Sequence, residues 1–444
     1  MSEFTGQAIR TILGAFGAMF CTVGFANSFG VFEEYYLENQ LADQSESNIS
    51  WIGALEVFFI FAGSIVTGPF LDMFGPEAMF WIGSIGTVFS VMMTSLCHEL
   101  YQFILAQGIL LGISMTLILC PTVAVISQNF KQHRAAAMGI TIAGSSLGGV
   151  VWPIAAHELF EKPNVGFGWT MRIIGFIMLP ILVMACLVIR PPKEQKGLRE
   201  QQQHQETTQP PSTPQQSRAS LQQLQQMSDE GASRSPVSIT EKKQSPPRRF
   251  YLSPLKSPTI QLCCLAFFLA YFSMFTPIFF ITSYSSTLGL SSTFSFYTTS
   301  IVNGASLFGR VLPGFAADRY GKFNCCILAT LFSGIISLCW TKATSEAGVG
   351  VFIAAYGFSS GAILSLQQAC AAQVSSSASM GTAIGTVMAA TSLSGLAGIP
   401  VSGELAGKYG FLALSIYSGV SMLVGTVILI AARIAQEKRL LAIV

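Results

Sequence analysis

The sequence predicts an all-α membrane protein with twelve transmembrane helices in two pseudo-symmetric six-helix bundles, and three observations lead there. Of 444 residues, 51% are hydrophobic and only 10% are charged, with a mean hydropathy of +0.55, whereas soluble domains carry about a quarter charged residues. Apolar stretches of about 20 residues recur, the length a helix needs to cross about 30 Å of hydrocarbon, and the short alternation of a barrel strand is absent. Landmarks of the first half also return in the second.

A short cytoplasmic tail (1–7) precedes helix 1 at 8–32, where Gly24, Asn27 and Gly30 interrupt an aromatic surface and admit close helix contact. The loop after it holds Glu33, Glu34, Glu38, Asp43 and Glu46 without Lys or Arg, which puts it outside by the positive-inside rule. Helix 2 (49–70) returns inward, carries Glu56 and ends in GPFLDMFGP. Helices 3 (78–97) and 4 (101–128) follow, and the next loop, KQHR at 131–134, is basic and therefore inside. Helix 5 (135–157) presents Gly144, Ser145, Ser146, Gly148 and Gly149 as a small-residue packing face, and helix 6 covers 169–190. These six make an N-terminal bundle at 8–190.

From 191 to 257 the chain turns to Gln, Pro and Ser with too little apolar content to fold. A disordered cytoplasmic linker is expected there, and the eleven Lys or Arg from Arg190 to Lys256 fit that side. Its Ser-Pro and Thr-Pro sites at Thr213, Ser235, Ser245, Ser253 and Ser257 are candidate phosphorylation sites. Helices 7 to 12 are expected at 259–284, 296–317, 323–341, 347–373, 380–401 and 411–432, within a C-terminal bundle at 258–432. The tail at 433–444 is basic and expected inside.

An internal repeat supports the count. A shift of 246 positions carries GPFLDMFGP onto GFAADRYGK, aligning Gly68 with Gly314, Asp72 with Asp318 and Gly75 with Gly321, and carries AGSSLGG at 143 onto AATSLSG at 389. A nearly equal shift takes Gly108 and Gly112 onto Gly357 and Gly361. Paired six-helix repeats around a midplane site define a large class of secondary transporter.

The chemistry concentrates in helix 8. Arg310 has only apolar and small neighbours from Ala305 to Ala317, and a cation at that depth costs about 2.5–3.5 kcal/mol on insertion scales unless it faces protein, water or ligand. Asn303 and Ser306 lie on the same helix face as Arg310, so the three are candidate substrate-binding residues, with Asn27, Tyr271 and Gln367 as further polar positions. The guanidinium suits a carboxylate; its alternative role is a structural pair with Glu56 or a backbone carbonyl. Glu56, a second intramembrane charge, is the proton-coupling candidate, unless it sits near the outer interface. His98, His133, His157 and His204 form no ligand constellation, and the ten cysteines, without CxxC spacing, read as buried free thiols. Without a phosphate-binding loop, metal cluster or nucleophile constellation, neither an enzyme nor a cofactor is expected. No basic cluster has the aromatic interleaving of a nucleic-acid site.

The stretch GFAADRYGK, with Gly314, Asp318, Arg319, Gly321 and Lys322, resembles the loop signature of the major facilitator superfamily between helices 8 and 9. Its first-half copy keeps Gly68, Asp72 and Gly75 but has Met73, Pro76 and Glu77 at usually basic positions, so the first-half gate is expected to be electrostatically weaker. NSFGVFEEYY, ISWIGALE and NFKQHRAAAMGITIAGSSLGG resemble the fungal branch of the monocarboxylate porter family. The resemblance implies inward gating by these loops and a substrate-binding arginine at Arg310. It implies diverse cargo, vitamins and secondary metabolites included. The family's animal members also carry an aspartate one turn before the arginine and a lysine in helix 1; here the first is Ser306, and helix 1 has no basic residue beyond Arg10.

The expectation is therefore a monomer in the bilayer, moving a small organic solute, a monocarboxylate or related organic anion, by alternating access, with protons as candidate co-substrate. The plasma membrane is the expected site, an internal membrane such as the vacuole the alternative. Two other readings stay open: an efflux facilitator for a larger, mostly apolar metabolite, favoured by the aromatic LAYFSMFTPIFF of helix 7, and a non-transporting nutrient receptor.

Overall fold

Each long apolar run becomes a helix, because backbone groups in hydrocarbon find partners only within the segment. The computed structural model of the protein describes residues 5–162, 164–190, 253–375 and 379–437. The linker as far as residue 252, with Thr213, Ser235 and Ser245, lies outside the described residues, as do the first four residues of the N-terminal tail and positions 438–444 of the C-terminal one. In order, the helices are α1 (Gly6–Glu38), α2 (Asn48–Phe74), α3 (Pro76–Thr94), α4 (Leu100–Asn129), α5 (Arg134–Phe160), α6 (Gly166–Val188) and α7 (Pro258–Thr287). They continue with α8 (Ser292–Tyr320), α9 (Lys322–Leu338), α10 (Glu346–Gln373) and a continuous segment, Met380–Gln436.

Among the described residues, nine helices are long and apolar enough to cross a membrane. The last of them bends through Gly410, at φ 73° and ψ −177°, a backbone that an L side chain rarely adopts. It therefore holds two rods, α11 (380–409) and α12 (411–436). With α8, which carries Arg310, Asp318 and Arg319, and the shorter α9, twelve helical segments follow one another as expected. The repeat also holds in the backbone: Gly75 and Gly321 both take positive φ, 85° and 99°, at the turns after α2 and α8.

Several boundaries differ from expectation. Helix α1 runs six residues further, through the acidic stretch, because Tyr36 on that extension is buried and packs on Phe103 and Phe167. It is interrupted at Thr22 and again at Asn27 and Ser28. After one α-helical turn, Leu100–Phe103, α4 continues as a π-helical stretch, Ile104–Leu111, which no periodicity foretold. A short 3-10 turn, Ser253–Lys256, leads into α7. All ten cysteines are free, as expected, but Cys339 is exposed.

Within the first six helices α1 packs on α5 and α6, and α3 on α4 and α6; within the last six, α8 packs on α10, and α7 and α9 on the α11–α12 segment. Two seams, α5 against α8 and α2 against α11, join the two sets, which form one body rather than separable units. Small residues set the approach: a Cβ on Gly24 would lie 2.8 Å from the Cα of Gly148.

Candidate functional site

A cavity of about 320 Å³ lies between the two sets of helices. It reaches Glu33 and Glu34 on α1 at the acidic end, and Arg310 and Gln368 line it where α8 and α10 run toward the basic end. Its walls differ in character. The α8 wall is polar, with Thr299, Ser300, Asn303, Ser306 and Arg310; the α2 wall is apolar, with Val57, Ile60 and Phe61. The repeat explains this division, since the 246-residue shift pairs Asn303 with Val57, Ser306 with Ile60 and Arg310 with Ser64. Phe275, Ile278 and Phe279 of α7 extend the apolar surface.

Arg310 is 3% exposed and reaches across the seam rather than to Glu56. Its Nη1 donates to the carbonyl of Ile142 at 2.8 Å and to the Ser145 hydroxyl, both on α5. Its Nε has no partner among the described residues. Asn303 Nδ2 donates to the Thr299 carbonyl at 3.0 Å, and the Asn303 amide covers Gly149, where a Cβ would lie 2.6 Å from Oδ1. Asn27 also lines the cavity and donates to the Ser145 carbonyl at 3.4 Å.

The other expected residues sit elsewhere. Tyr271 and Gln367 are buried off the cavity wall, with the Tyr271 hydroxyl and both Gln367 amide atoms unpartnered; Tyr271 interacts electrostatically with Arg310. Glu56 is 1% exposed, buried inside the first six helices. It interacts with Gln107, whose Oε1 accepts from Tyr36 at 2.7 Å, but neither carboxyl oxygen has a hydrogen bond of regular geometry. Several contributors carried no sequence signal, Thr299 and Ser300 of α8 among them. Gln368, adjacent to Gln367, is the glutamine that lines the cavity, with its Oε1 unpartnered. Ser145, read only as a packing residue, is where α1, α5 and α8 meet.

At the basic end the signature aspartates cross the seams. Asp318 accepts from the backbone N–H groups of Ala135 and Ala136, each at 2.8 Å, capping α5. Asp72 accepts from Gly381 N–H at 3.0 Å, Thr382 N–H at 2.9 Å and the Thr382 hydroxyl at 2.8 Å, capping α11. The capped residues are themselves related by the 246-residue shift. A carboxylate on two helix-terminal amides satisfies donors the helix leaves open and complements its dipole. Glycines allow the approach: a Cβ on Gly314 would lie 2.7 Å from the Ala135 carbonyl, and one on Gly68 would lie 2.4 Å from that of Gly381. Lys322 adds charge near Asp318 and Arg134, where the aligned first-half residue is Pro76, yet Asp72 makes more hydrogen bonds than Asp318. Arg319 is exposed, its guanidinium 5.6 Å from the Tyr320 ring centroid, outside the latch it was grouped with. No group of three or more His, Cys, Asp or Glu suited to a metal occurs among the described residues.

A cavity between two related helix sets, closed at one end by paired latches, is the geometry of an alternating-access transporter. A family profile described as Major Facilitator Superfamily matches residues 14–383. The chain is 41% identical over 440 residues to the agnestins efflux protein AgnL12 of Paecilomyces divaricatus, covering 99% of this chain and 90% of that one. It is 37% identical over 432 residues to the aspyridones efflux protein apdF of Emericella nidulans, covering 96% and 78%. Among solved structures, the human organic anion transporter MFSD10 (TETRAN) superposes with a TM-score of 0.66 at 16% identity, covering 95% of this chain and 99% of that one. With the profile spanning most of the chain and relatives aligned nearly end to end, this integral, multi-pass membrane protein belongs to the major facilitator superfamily.

Proposed function

We propose that the protein exports a largely apolar secondary metabolite bearing an acidic group, by alternating access through the central cavity. The observation that carries this reading is the cavity's division into an apolar α2–α7 side and a polar α8 side ending at the buried Arg310. A short monocarboxylate offers nothing to the apolar side. A larger amphipathic acid contacts both, with the guanidinium Nε–H donating to its anionic group. The names of the relatives support the same choice between the two transport readings: two of them are efflux proteins, for agnestins and for aspyridones.

In this reading the latched end is cytoplasmic, as the basic loops require, and the cavity is in its outward-facing, cargo-releasing state. Flux into vesicles tests the proposal, with labelled aromatic acids, their neutral analogues, and lactate. The expected result is transport of the aromatic acids but not of lactate, with Arg310→Ala lowering acid flux about thirtyfold or more, the loss typical of truncating one partner of a buried charged contact, and affecting neutral analogues less. Lactate flux equal to that of the aromatic acids, or acid flux indifferent to Arg310→Ala, would overturn it.

A further inference from the structure

The internal repeat makes each seam a control for the other. At the α5/α8 seam, Gly139 lies against the backbone of Arg310, a Cβ there falling 2.2 Å from the Arg310 carbonyl; at the α2/α11 seam, Gly385 lies against Ser64, at 2.1 Å from its carbonyl. These two contacts occupy equivalent positions under the 246-residue shift. So do two back-bonded hydroxyls: Ser145 donates to the Ile142 carbonyl at 2.9 Å, and Thr391 donates to the Met388 carbonyl at 2.7 Å. The hydroxyl and carbonyl are thus built on both sides. Only one seam adds a cation to them. Arg310 bonds Ser145 and Ile142 across the halves, whereas its counterpart Ser64 turns to Thr116 within its own half, at 3.1 Å.

The scaffold therefore holds one seam together without a guanidinium, and the guanidinium on the other is reachable from the cavity. We infer that Ser145 and the Ile142 carbonyl form a parking site for Arg310 that competes with the acidic group of the cargo, so that release of cargo from the outward-facing cavity restores an inter-half bond. This makes Ser145 a positioning residue of the transport cycle, and it rests on the reading of Arg310 as the cargo's anchor. In the empty outward-facing state Nη1 is held on α5 while Nε remains unpartnered. While cargo is bound its anion holds the planar group away from α5, and as cargo leaves, that contact gives way to the bond between α8 and α5. Binding then changes the balance between the two states, which a ligand achieves only through differential contacts.

The test uses full-length transporter in nanodiscs, 2-naphthoate as acidic probe and 2-naphthalenemethanol as its neutral analogue. Hydrogen exchange of residues 134–140 reads the opening of the basic end, since the amides of Ala135 and Ala136 are held there by Asp318. Ser145→Ala is expected to raise that exchange without ligand and to tighten 2-naphthoate binding about tenfold, as loss of one competing charged hydrogen bond implies, with no change for the alcohol. Thr391→Ala, which removes the equivalent hydroxyl where no arginine parks, is expected to match wild type in both readouts. Ser145→Ala behaving like Thr391→Ala would overturn the inference; if Arg310→Ala still abolished naphthoate binding, the proposed function would stand without it. Naphthoate binding unaffected by Arg310→Ala would instead remove the anchor, and the ligand-free exchange of Ser145→Ala would still decide whether the bond latches the seam. Raised exchange without tightening would overturn the competition with cargo.

Discussion

Gln368 lies on the cavity wall, 4% exposed, with its Oε1 unpartnered. A buried acceptor left unpaired costs about 1–3 kcal/mol, and a cargo donor reaching it recovers part of that. Gln368→Leu is therefore expected to raise the thermal stability of the empty transporter while weakening cargo that carries a donor beside its acid about tenfold. Thermal unfolding and binding on one preparation check this; a fall in both would make Gln368 a packing residue. The sequence pointed instead to Gln367, and the reason is physical. Around these two residues α10 is apolar or small on every side, with Ser365, Leu366, Gln367, Gln368, Ala369 and Cys370 all buried, so no polar face marks which one meets a cavity. Arg310 was legible because a cation in hydrocarbon needs a reason. Its parking place was not, since a backbone carbonyl and a serine on another helix leave no sequence signal.

Helix contacts at the seams depend on residues that lack a Cβ, and α8 offers two that differ sharply. Gly314 faces the Ala135 carbonyl, whereas Gly304 has nothing within 4 Å. Gly314→Leu is expected to force α8 from α5, release the Asp318 cap and shift the transporter toward the state open at the basic end, with flux falling about tenfold or more if the displaced contact costs the 1–3 kcal/mol typical of overpacking. Gly304→Ala is expected to leave flux unchanged. Equal effects of the two would show that helix propensity, not seam packing, is being measured; vesicle flux and hydrogen exchange of 134–140 distinguish them. At this scale most of the fold was readable, because span length, turn glycines and charge bias are each local. The π-helical stretch of α4 and the continuation of α1 past its apolar run were not; the latter is held by tertiary contacts of Tyr36 with Phe103 and Gln107, which no local pattern announces.

In the proposed transport cycle the two aspartate latches act on one equilibrium between a basic end closed and a basic end open. Removing a helix cap costs about 0.5–2 kcal/mol, and the charge at a helix N-terminus contributes about 0.3–1 kcal/mol more. The latches sit on different seams and cap different helices, so their effects on the open-to-closed ratio should multiply. They are not equal. Asp72 holds two amides and a hydroxyl, Asp318 two amides, and the additional bond makes the first-half latch the stronger in hydrogen bonding. Asp318→Ala is expected to raise the open-to-closed ratio about tenfold, Asp72→Ala further, and the double variant by the product of the two. Hydrogen exchange of residues 134–140 and of 380–386, compared across the four proteins, measures each seam separately. If Asp72→Ala opened only its own seam and left exchange at 134–140 untouched, the halves would not move as rigid partners in a two-state change, and the cycle would need an intermediate with one seam parted.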